Sequence, residues 1–173
     1  NGYIWNVTSA IEMVHTFSLI HDDLPCMDDD DYRRGKLTVH KAFSESTAVL
    51  AGDALCIRAF ELLGMTNKPE LITVLAKALG TEGMIGGQLV DIASEGKKIS
   101  PALLEYIHTH KTGALIQASL LMGVKLTGAS KDEEKMISDF GGLIGLAFQV
   151  VDDILDITGT TEQLGKEAGA DLA

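Results

Sequence analysis

Apolar residues recur at three- and four-residue intervals along most of the chain, which is the spacing of amphipathic helices. The first such stretch begins near Val7, with Thr8 or Ser9 as a candidate N-cap. Because proline disturbs a helix interior, we expect this helix to end at residues 21–23, just before Pro25. The chain therefore opens with one long predicted helix.

Further helical patterns follow, separated by short segments rich in glycine, proline and polar residues. They predict helices over residues 45–63, 70–92, 100–126 and 131–157, with a loop over 158–169. Ser100 followed by Pro101 is typical of an N-cap with proline at the first helical position. Residues 28–41 are charged and predict a structured loop or a short irregular helix. No segment alternates as a strand does, so we predict one all-α domain over residues 1–173.

Composition narrows the class of protein. The net charge of −11 argues against nucleic acid, because phosphate backbones are bound by an excess of Lys and Arg. It leaves room for a phosphorylated small molecule, since bound cations can invert the local charge. Cys26 and Cys56 do not make a disulfide framework, and we expect both to be partly buried thiols. With no apolar run long enough to cross a membrane and no signal peptide, we predict a soluble cytoplasmic protein.

A first acidic cluster follows the first predicted helix. Its members are Asp22, Asp23, Asp28, Asp29, Asp30 and Asp31. Such carboxylates repel one another unless cations neutralise them, and Mg²⁺ prefers a few carboxylates together with substrate phosphates. On a straight helix Asp22 and Asp28 would diverge by roughly 120°, but Pro25 offers a way to fold Asp28 back. A solvated acidic loop and a Ca²⁺ site remain alternatives, although the spacing is not that of an EF-hand.

A second acidic cluster lies on the last predicted helix. Gln149, Asp152, Asp153 and Asp156 share one helix face. Their neighbours are apolar, so we predict a buried helix on which the carboxylates need partners. A stripe of surface carboxylates is the alternative. We expect the two clusters to face each other across a cavity and to share metal ions.

Several basic residues suit a diphosphate bound between these clusters. Arg33 and Arg34 follow the first cluster, and guanidinium groups pair with phosphate oxygens through two hydrogen bonds. Lys111 lies in an apolar helix, where an unpaired ammonium would be unfavourable, and Lys166 follows the second cluster. Each of them alone is more simply a surface charge or half of a salt bridge. Together they predict a ring of positive charge.

Two further features of the predicted helices suggest function. His15 shares the helix face of Asp22, although a lone helical histidine is more often structural. Glycines inside helices lower stability, so they predict close packing of helices or close approach of a ligand. These glycines are Gly86, Gly87, Gly141, Gly142 and Gly145.

These motifs together resemble those of the bacterial and plant-type short-chain trans-isoprenyl diphosphate synthases, such as farnesyl and geranylgeranyl diphosphate synthases. The matching segments are residues 21–28 with 33–35, 86–91, 111–112, 148–156 and 165–166. The resemblance implies an all-α antiparallel helical bundle around a deep central cavity, commonly a homodimer, that binds about three Mg²⁺ ions. It also implies an enzyme that condenses isopentenyl diphosphate with allylic diphosphates such as the dimethylallyl and geranyl compounds.

The resemblance assigns a role to each motif residue. The implied Mg²⁺ ligands are Asp22, Asp28 and Asp152, with Asp23, Asp153 and Asp156 as further ligands or supports of those ligands. The residues implied to hold the allylic diphosphate are Arg33, Lys111, Thr112, Gln149 and Lys166. Those implied to hold isopentenyl diphosphate are His15 and Arg34. The implied catalytic set is Asp22, Asp28, Arg33, Lys111, Asp152 and Lys166.

In such synthases the floor of the tunnel for the growing chain lies four and five residues before the first aspartate, which here are Ser18 and Phe17. The bulk of Phe17 predicts farnesyl diphosphate as the product, with geranylgeranyl diphosphate as the close alternative. The upstream Gly-Gly-Lys-x-x-Arg segment of the family and the helices after Asp171 do not occur in the sequence. We therefore expect a domain that is incomplete at both ends.

Three other functions compete with a synthase. A terpene cyclase would share the fold and one aspartate motif, but it would not need isopentenyl diphosphate. A non-catalytic subunit of a heteromeric synthase would bind Mg²⁺–diphosphate without condensing substrates alone. An acidic cation-binding helical protein would bind metal independently of diphosphate.

Overall fold

A computed structural model describes residues 2–158, with the side chains of residues 156 and 157 left out. The helices are α1 (Ile4–Asp22), α2 (Val39–Ala42), α3 (Glu45–Gly64), α4 (Pro69–Leu79), α5 (Met84–Ser94), α6 (Pro101–Ile107), a π-helix (His108–Gly113), α7 (Ala114–Thr127) and α8 (Lys131–Thr158). The predicted all-α class is confirmed. None of the helices within residues 2–158 is both long and apolar enough to cross a membrane.

A small β-hairpin lies where residues 28–41 predict a loop or an irregular helix. Its strands are β1 (Tyr32–Arg33) and β2 (Lys36–Leu37), which pair antiparallel. The two-residue turn between them has φ of +53° at Arg34 and +74° at Gly35. Positive φ at both central positions is the geometry of a tight hairpin turn, and glycine at the second position favours it. The prediction that the chain has no strand is therefore wrong for this segment.

The start of α1 also differs from the prediction. The helix begins at Ile4, after an N-cap at Tyr3 that makes no side-chain capping bond. Thr8 is inside the helix, where its hydroxyl donates a hydrogen bond to the Ile4 carbonyl oxygen. Thr8 and Ser9 are therefore not N-caps, because a hydroxyl can also bond to the preceding turn of its own helix.

The single helix predicted over residues 70–92 is two helices in the structure. Gly80 leaves helical geometry with ψ of −165°, and α5 begins only after Gly83. A side chain at Gly83 would bring its Cβ to 2.2 Å from the Ala78 carbonyl oxygen. This corner needs a residue without a side chain, and it separates α4 from α5.

The helix predicted over residues 100–126 begins as expected but is not uniform. The Ser100 hydroxyl oxygen accepts a hydrogen bond from the Leu103 N–H at 3.2 Å, which confirms the N-cap. Residues 108–113 then widen into a π-helix before α7 resumes α geometry. Gly128 ends α7 in the left-handed region with φ of +75°. Short π-helices inside longer helices occur frequently at functional sites.

The hydrophobic core forms where α1, α3, α4 and α7 meet. Its buried members are Val7, Ala10, Val14, Ala59, Leu63, Leu71, Leu75, Leu79, Met84 and Met122. Helix α1 packs chiefly against α3, and α7 packs against both α8 and α4. Helix α1 also contacts α7, which directly follows the π-helix.

The second half of α8 is more exposed than its sequence predicts. Only α7 and the π-helix make extensive contact with α8 among the described residues. The apolar neighbours of the second cluster are 46–55% exposed: Phe148, Val150, Val151, Ile154 and Leu155. The predicted burial of this segment is therefore wrong for the part of the chain that the structure describes.

The two cysteines lie in different surroundings. Cys56 is half-buried in α3, where burial raises the pKa of its thiol. Cys26 is exposed in the turn after α1, so its predicted partial burial is wrong.

Candidate active site

The chain folds back on itself directly after α1. The Asp28 N–H donates a hydrogen bond of 2.8 Å to the Asp22 carbonyl oxygen, and the Asp29 N–H donates one of 3.1 Å to that of Leu24. Asp29 adopts a φ of +52° to complete this turn. The prediction that Asp28 returns towards Asp22 is confirmed, because the turn around Pro25 is closed by these hydrogen bonds.

A cavity of about 550 Å³ lies between α1, α5, the π-helix and α7. This size lies within the usual range for small-molecule sites. Most of its lining is apolar, and its polar lining includes Asp22, Lys111 and Thr112. Three further residues of α1 also line it: His15, Phe17 and Ser18. The cavity therefore combines charged groups with a long apolar wall.

Lys111 lies in the π-helix with its ammonium group among carboxylates. Its Nζ is 2.6 Å from Asp91 Oδ2 on α5. Burial alone would lower the pKa of Lys111, but attraction to Asp91, Asp22 and Asp28 raises it above its ordinary value. Lys111 thus stays protonated at neutral pH and supplies a fixed positive charge on the cavity wall.

The surroundings of the first cluster disfavour the charged forms of its carboxylates. Burial raises the pKa of Asp22 to about 6, with repulsion from Asp28 adding to the shift and Lys111 opposing it. Asp28 is exposed, yet partial desolvation by the surrounding protein raises its pKa against the attraction of Lys111. Carboxylates held above their ordinary pKa are stabilised by an added cation, so the electrostatics favour a positive ligand here.

Asp23 faces another direction from Asp22. It is buried, and its Oδ1 accepts a hydrogen bond of 2.6 Å from Arg33 Nε. Arg33 also donates to Asp30 Oδ2 at 3.2 Å. Burial raises the pKa of Asp23 although Arg33 lowers it. Asp23 therefore holds Arg33 in place, which fits a supporting role better than direct coordination of a metal ion.

A smaller cavity of about 190 Å³ lies beside the larger one along α1. His15, Asp23, Arg33 and Arg34 are among its lining residues. His15 lines both cavities, so it lies between them. Arg33 does not line the larger cavity, although its charge lowers the pKa of Asp22. The two arginines and His15 thus line one cavity together with Asp23.

The structure describes the second acidic cluster only in part. Asp152 is exposed and Gln149 is half-buried on α8. Asp153 Oδ2 lies 3.2 Å from Nε2 of His108, the first residue of the π-helix. The Asp156 side chain and Lys166 lie outside the described residues, and so does the loop predicted after residue 158.

The π-helix connects the two acidic clusters. Lys111 interacts with Asp22 and Asp28 of the first cluster, whereas His108 contacts Asp153 of the second. Within residues 2–158, no three His, Cys, Asp or Glu side chains are arranged to hold a metal ion by themselves. Mg²⁺ commonly completes its coordination with waters and substrate phosphates.

Glycines allow neighbouring helices to approach the π-helix closely. A Cβ on Gly87 of α5 would lie 2.3 Å from the Lys111 backbone nitrogen, and one on Gly145 of α8 would lie 2.6 Å from Gly113 Cα. Both distances are too short for real side chains, so α5 and α8 pack directly on the π-helix backbone. The predicted close packing at helix-interior glycines is confirmed at these two positions.

Three polar residues of the site were missed as candidates. Asp91 is the partner that an ammonium group in an apolar helix requires, and it ends a motif segment already noted. His108 precedes Lys111 by three residues, but only the structure brings it to α8. The buried amide of Gln88 lines the larger cavity with no hydrogen-bond partner among the described residues.

Known proteins resemble the chain in sequence and in structure. A large subunit of a chloroplastic heterodimeric geranylgeranyl pyrophosphate synthase from Arabidopsis thaliana is 53% identical over 94% of the chain and 47% of its own length. Farnesyl diphosphate synthase from Geobacillus stearothermophilus is 49% identical over 95% of the chain and 58% of its own length. The chain thus spans about half the length of these curated relatives.

A solved structure also resembles the chain. The geranyltransferase of Helicobacter pylori, complexed with magnesium and isoprenyl diphosphate, superimposes with a TM-score of 0.91 and 43% identity, covering 96% of this chain and 57% of that protein. The family model described as polyprenyl synthetase matches residues 3–173. The chain therefore belongs to the polyprenyl synthetase family.

Proposed function

We propose that the whole protein is a Mg²⁺-dependent trans-prenyltransferase, of which residues 1–173 form part of one polyprenyl synthase domain. It would condense isopentenyl diphosphate with allylic diphosphates into a short-chain trans-prenyl diphosphate. The observation that supports this most is Lys111, a half-buried ammonium that interacts with Asp22 and Asp28 on the wall of a largely apolar cavity. Such a cavity suits a ligand with a charged diphosphate head and a hydrocarbon tail.

The acidic residues fit Mg²⁺. Asp22, Asp28 and Asp152 would coordinate it, with Asp153 and Asp156 as further ligands. The raised pKa values of Asp22 and Asp28 support this role, since a nearby cation lowers the free energy of their charged forms. When bound, Mg²⁺ supplies positive charge that stabilises the diphosphate leaving group.

The side chains of the chain would divide the remaining work. Lys111 and Thr112, with Gln149 and Lys166, would bind the allylic diphosphate and stabilise its charge as the bond from carbon to oxygen breaks and the electron pair leaves with oxygen. Arg33, whose charge acts on Asp22, would also interact with the allylic diphosphate. His15 and Arg34 would orient isopentenyl diphosphate in the smaller cavity, so that its double bond attacks the allylic carbon. The departing diphosphate would accept the proton that is lost as the new double bond forms. The apolar wall would exclude water, which would otherwise capture the allylic cation.

The product is proposed to be farnesyl diphosphate, with geranylgeranyl diphosphate as the alternative. Phe17 and Ser18 line the larger cavity on the same helix as Asp22, about one turn away from it. The ring of Phe17 would limit the length of the hydrocarbon chain. Relatives named for both products leave the choice to experiment.

We propose a homodimer in the cytoplasm as the working state of the whole protein. Exposed apolar side chains, including Leu143 and Phe148 on α8, support burial against another surface. A relative that is the large subunit of a heterodimeric synthase favours a second possibility, in which the partner is a different subunit. The molar mass of the purified full-length protein, measured by light scattering, distinguishes a homodimer from a monomer that needs another subunit.

The decisive assay for this function incubates the full-length protein with isopentenyl diphosphate and each allylic primer in turn, followed by sizing of the products. We expect a farnesyl product that depends on Mg²⁺ and on both substrates. A cyclic product formed without isopentenyl diphosphate would indicate a terpene cyclase. Binding of Mg²⁺–diphosphate without condensation would indicate a non-catalytic subunit.

A further inference from the structure

His108 is a buried residue that pairs with a carboxylate of the second acidic cluster. Its side chain is 7% exposed, and Nε2 lies 3.2 Å from Asp153 Oδ2, whose side chain is 39% exposed. The imidazole therefore approaches Asp153 from the protein interior, while the other side of the carboxylate faces outward. This geometry leaves Asp153 free to bind a ligand on its open side.

The backbones that carry these two residues are held at a fixed separation. Gly145 of α8 and Gly113 of the π-helix are in direct contact, so neither helix can move closer to the other. From this contact Asp153 lies two turns along α8, a rise of about 12 Å. His108 lies at the opposite end of the π-helix from Gly113. The contact between His108 and Asp153 is thus a second fixed point between the same two helices.

We propose that His108 is a positioning residue: its Nε2–H donates to the Asp153 carboxylate and orients it, and thereby sets the second acidic cluster relative to Lys111. This inference rests on the proposed function, because it concerns how the chain binds Mg²⁺–diphosphate. Lys111 is three residues from His108 on the same π-helix and interacts with the first cluster. The π-helix therefore aligns both clusters around one diphosphate.

Hydrogen-bonded partners of metal ligands typically change metal affinity by about 10–100-fold when they are removed. The test measures the binding of inorganic pyrophosphate to the full-length protein by calorimetry, at fixed Mg²⁺ and without turnover. Gln carries its amide nitrogen at about the distance of a histidine Nε2, whereas the shorter Asn does not reach as far. We expect H108N to weaken binding about tenfold or more, and H108Q to stay within about threefold of wild type.

Two controls make the result specific. His110, in the same π-helix, stacks on Tyr106 and does not contact Asp153, so H110N should bind pyrophosphate as wild type does. In the D153N background, H108N should have no further effect, because the carboxylate that it orients is gone. Thermal melts of each variant check that the fold is retained.

Equal binding by the H108N and H108Q variants would overturn the proposal, and so would independent, additive losses in the double variant. The product assay on the wild-type protein separates this outcome from a failure of the proposed function. If wild type forms no product but H108N alone weakens pyrophosphate binding, the positioning role stands and the synthase function falls.

Discussion

Asp22 combines a candidate role in metal binding with an unfavourable environment. Burial raises its pKa from 3.8 to about 6, so the folded state binds this proton more tightly than the unfolded state does. By linkage, the contribution of Asp22 to the free energy of unfolding falls as pH rises from about 4 through 6. The loss is on the order of 2 kcal/mol for such a shift in a partly solvated group.

The Asp22→Asn variant should therefore be more stable than wild type at pH 7 when Mg²⁺ is absent, and equally stable near pH 4. Urea denaturation across this pH range measures the effect. Asp132→Asn, at an exposed position on α8, is the matched control and should keep the wild-type pH dependence. If the variant is no more stable than wild type at pH 7, the buried charge of Asp22 does not lower the free energy of unfolding.

Phe17 is the residue at which product length can be altered. Its ring lines the larger cavity, and replacing it with Ala removes much of the side chain that we expect to stop the growing tail. The Phe17→Ala variant should shift the product from farnesyl to geranylgeranyl diphosphate or longer, as measured by chromatography of the dephosphorylated products. Phe60→Ala is the control, because Phe60 also packs on the core but does not line the cavity. If the product spectrum is unchanged, Phe17 does not form the floor of the tunnel for the growing chain.

At the scale of elements, the π-helix is the central feature of the site. Its backbone contacts Gly145 of α8 so closely that a Cβ there would lie 2.6 Å from Gly113 Cα. Overpacking of this kind typically costs about 1–3 kcal/mol. The Gly145→Ala variant should therefore lower the free energy of unfolding by about that amount and weaken pyrophosphate binding, because α8 must move away from the π-helix.

Gly123 of α7 provides the contrast. A Cβ at this position would meet no atom within 4 Å, so Gly123→Ala should raise the free energy of unfolding by up to about 1 kcal/mol. Urea denaturation of both variants gives the comparison. If the two substitutions change stability alike, close packing at Gly145 is not what fixes the π-helix.

The elements also show how far the sequence predicts this structure. Apolar spacing identified the long helices, and Ser100 with Pro101 marked one start correctly, because these signals are local. The corner at Gly80 and the π-helix at residues 108–113 depend on contacts with other helices, so periodicity alone did not reveal them. The hairpin is too short to alternate visibly, and only the Arg34–Gly35 pair indicates its turn.

In the candidate site, too, the sequence predicted the features with a local signal and not those that depend on helix packing. The spacing of the aspartates and Lys111 identified the residues that interact in the structure around Asp22. The partners Asp91 and His108 lie on other helices, so their roles appear only once the helices are packed. The apolar residues around Asp152 are exposed in the described part of the chain. Their apolar pattern therefore predicts that this face packs against another surface, but it does not identify that surface.

At the scale of the whole molecule, the account depends on the two acidic clusters serving one ligand. The π-helix supports this, since Lys111 interacts with the first cluster and His108 contacts the second. Calorimetric binding of pyrophosphate to the full-length protein in Mg²⁺, compared among wild type, Asp22→Asn and Asp152→Asn, tests the point most directly. We predict binding only with Mg²⁺ and a loss of about tenfold or more in each variant; wild-type affinity in Asp152→Asn would contradict a shared site.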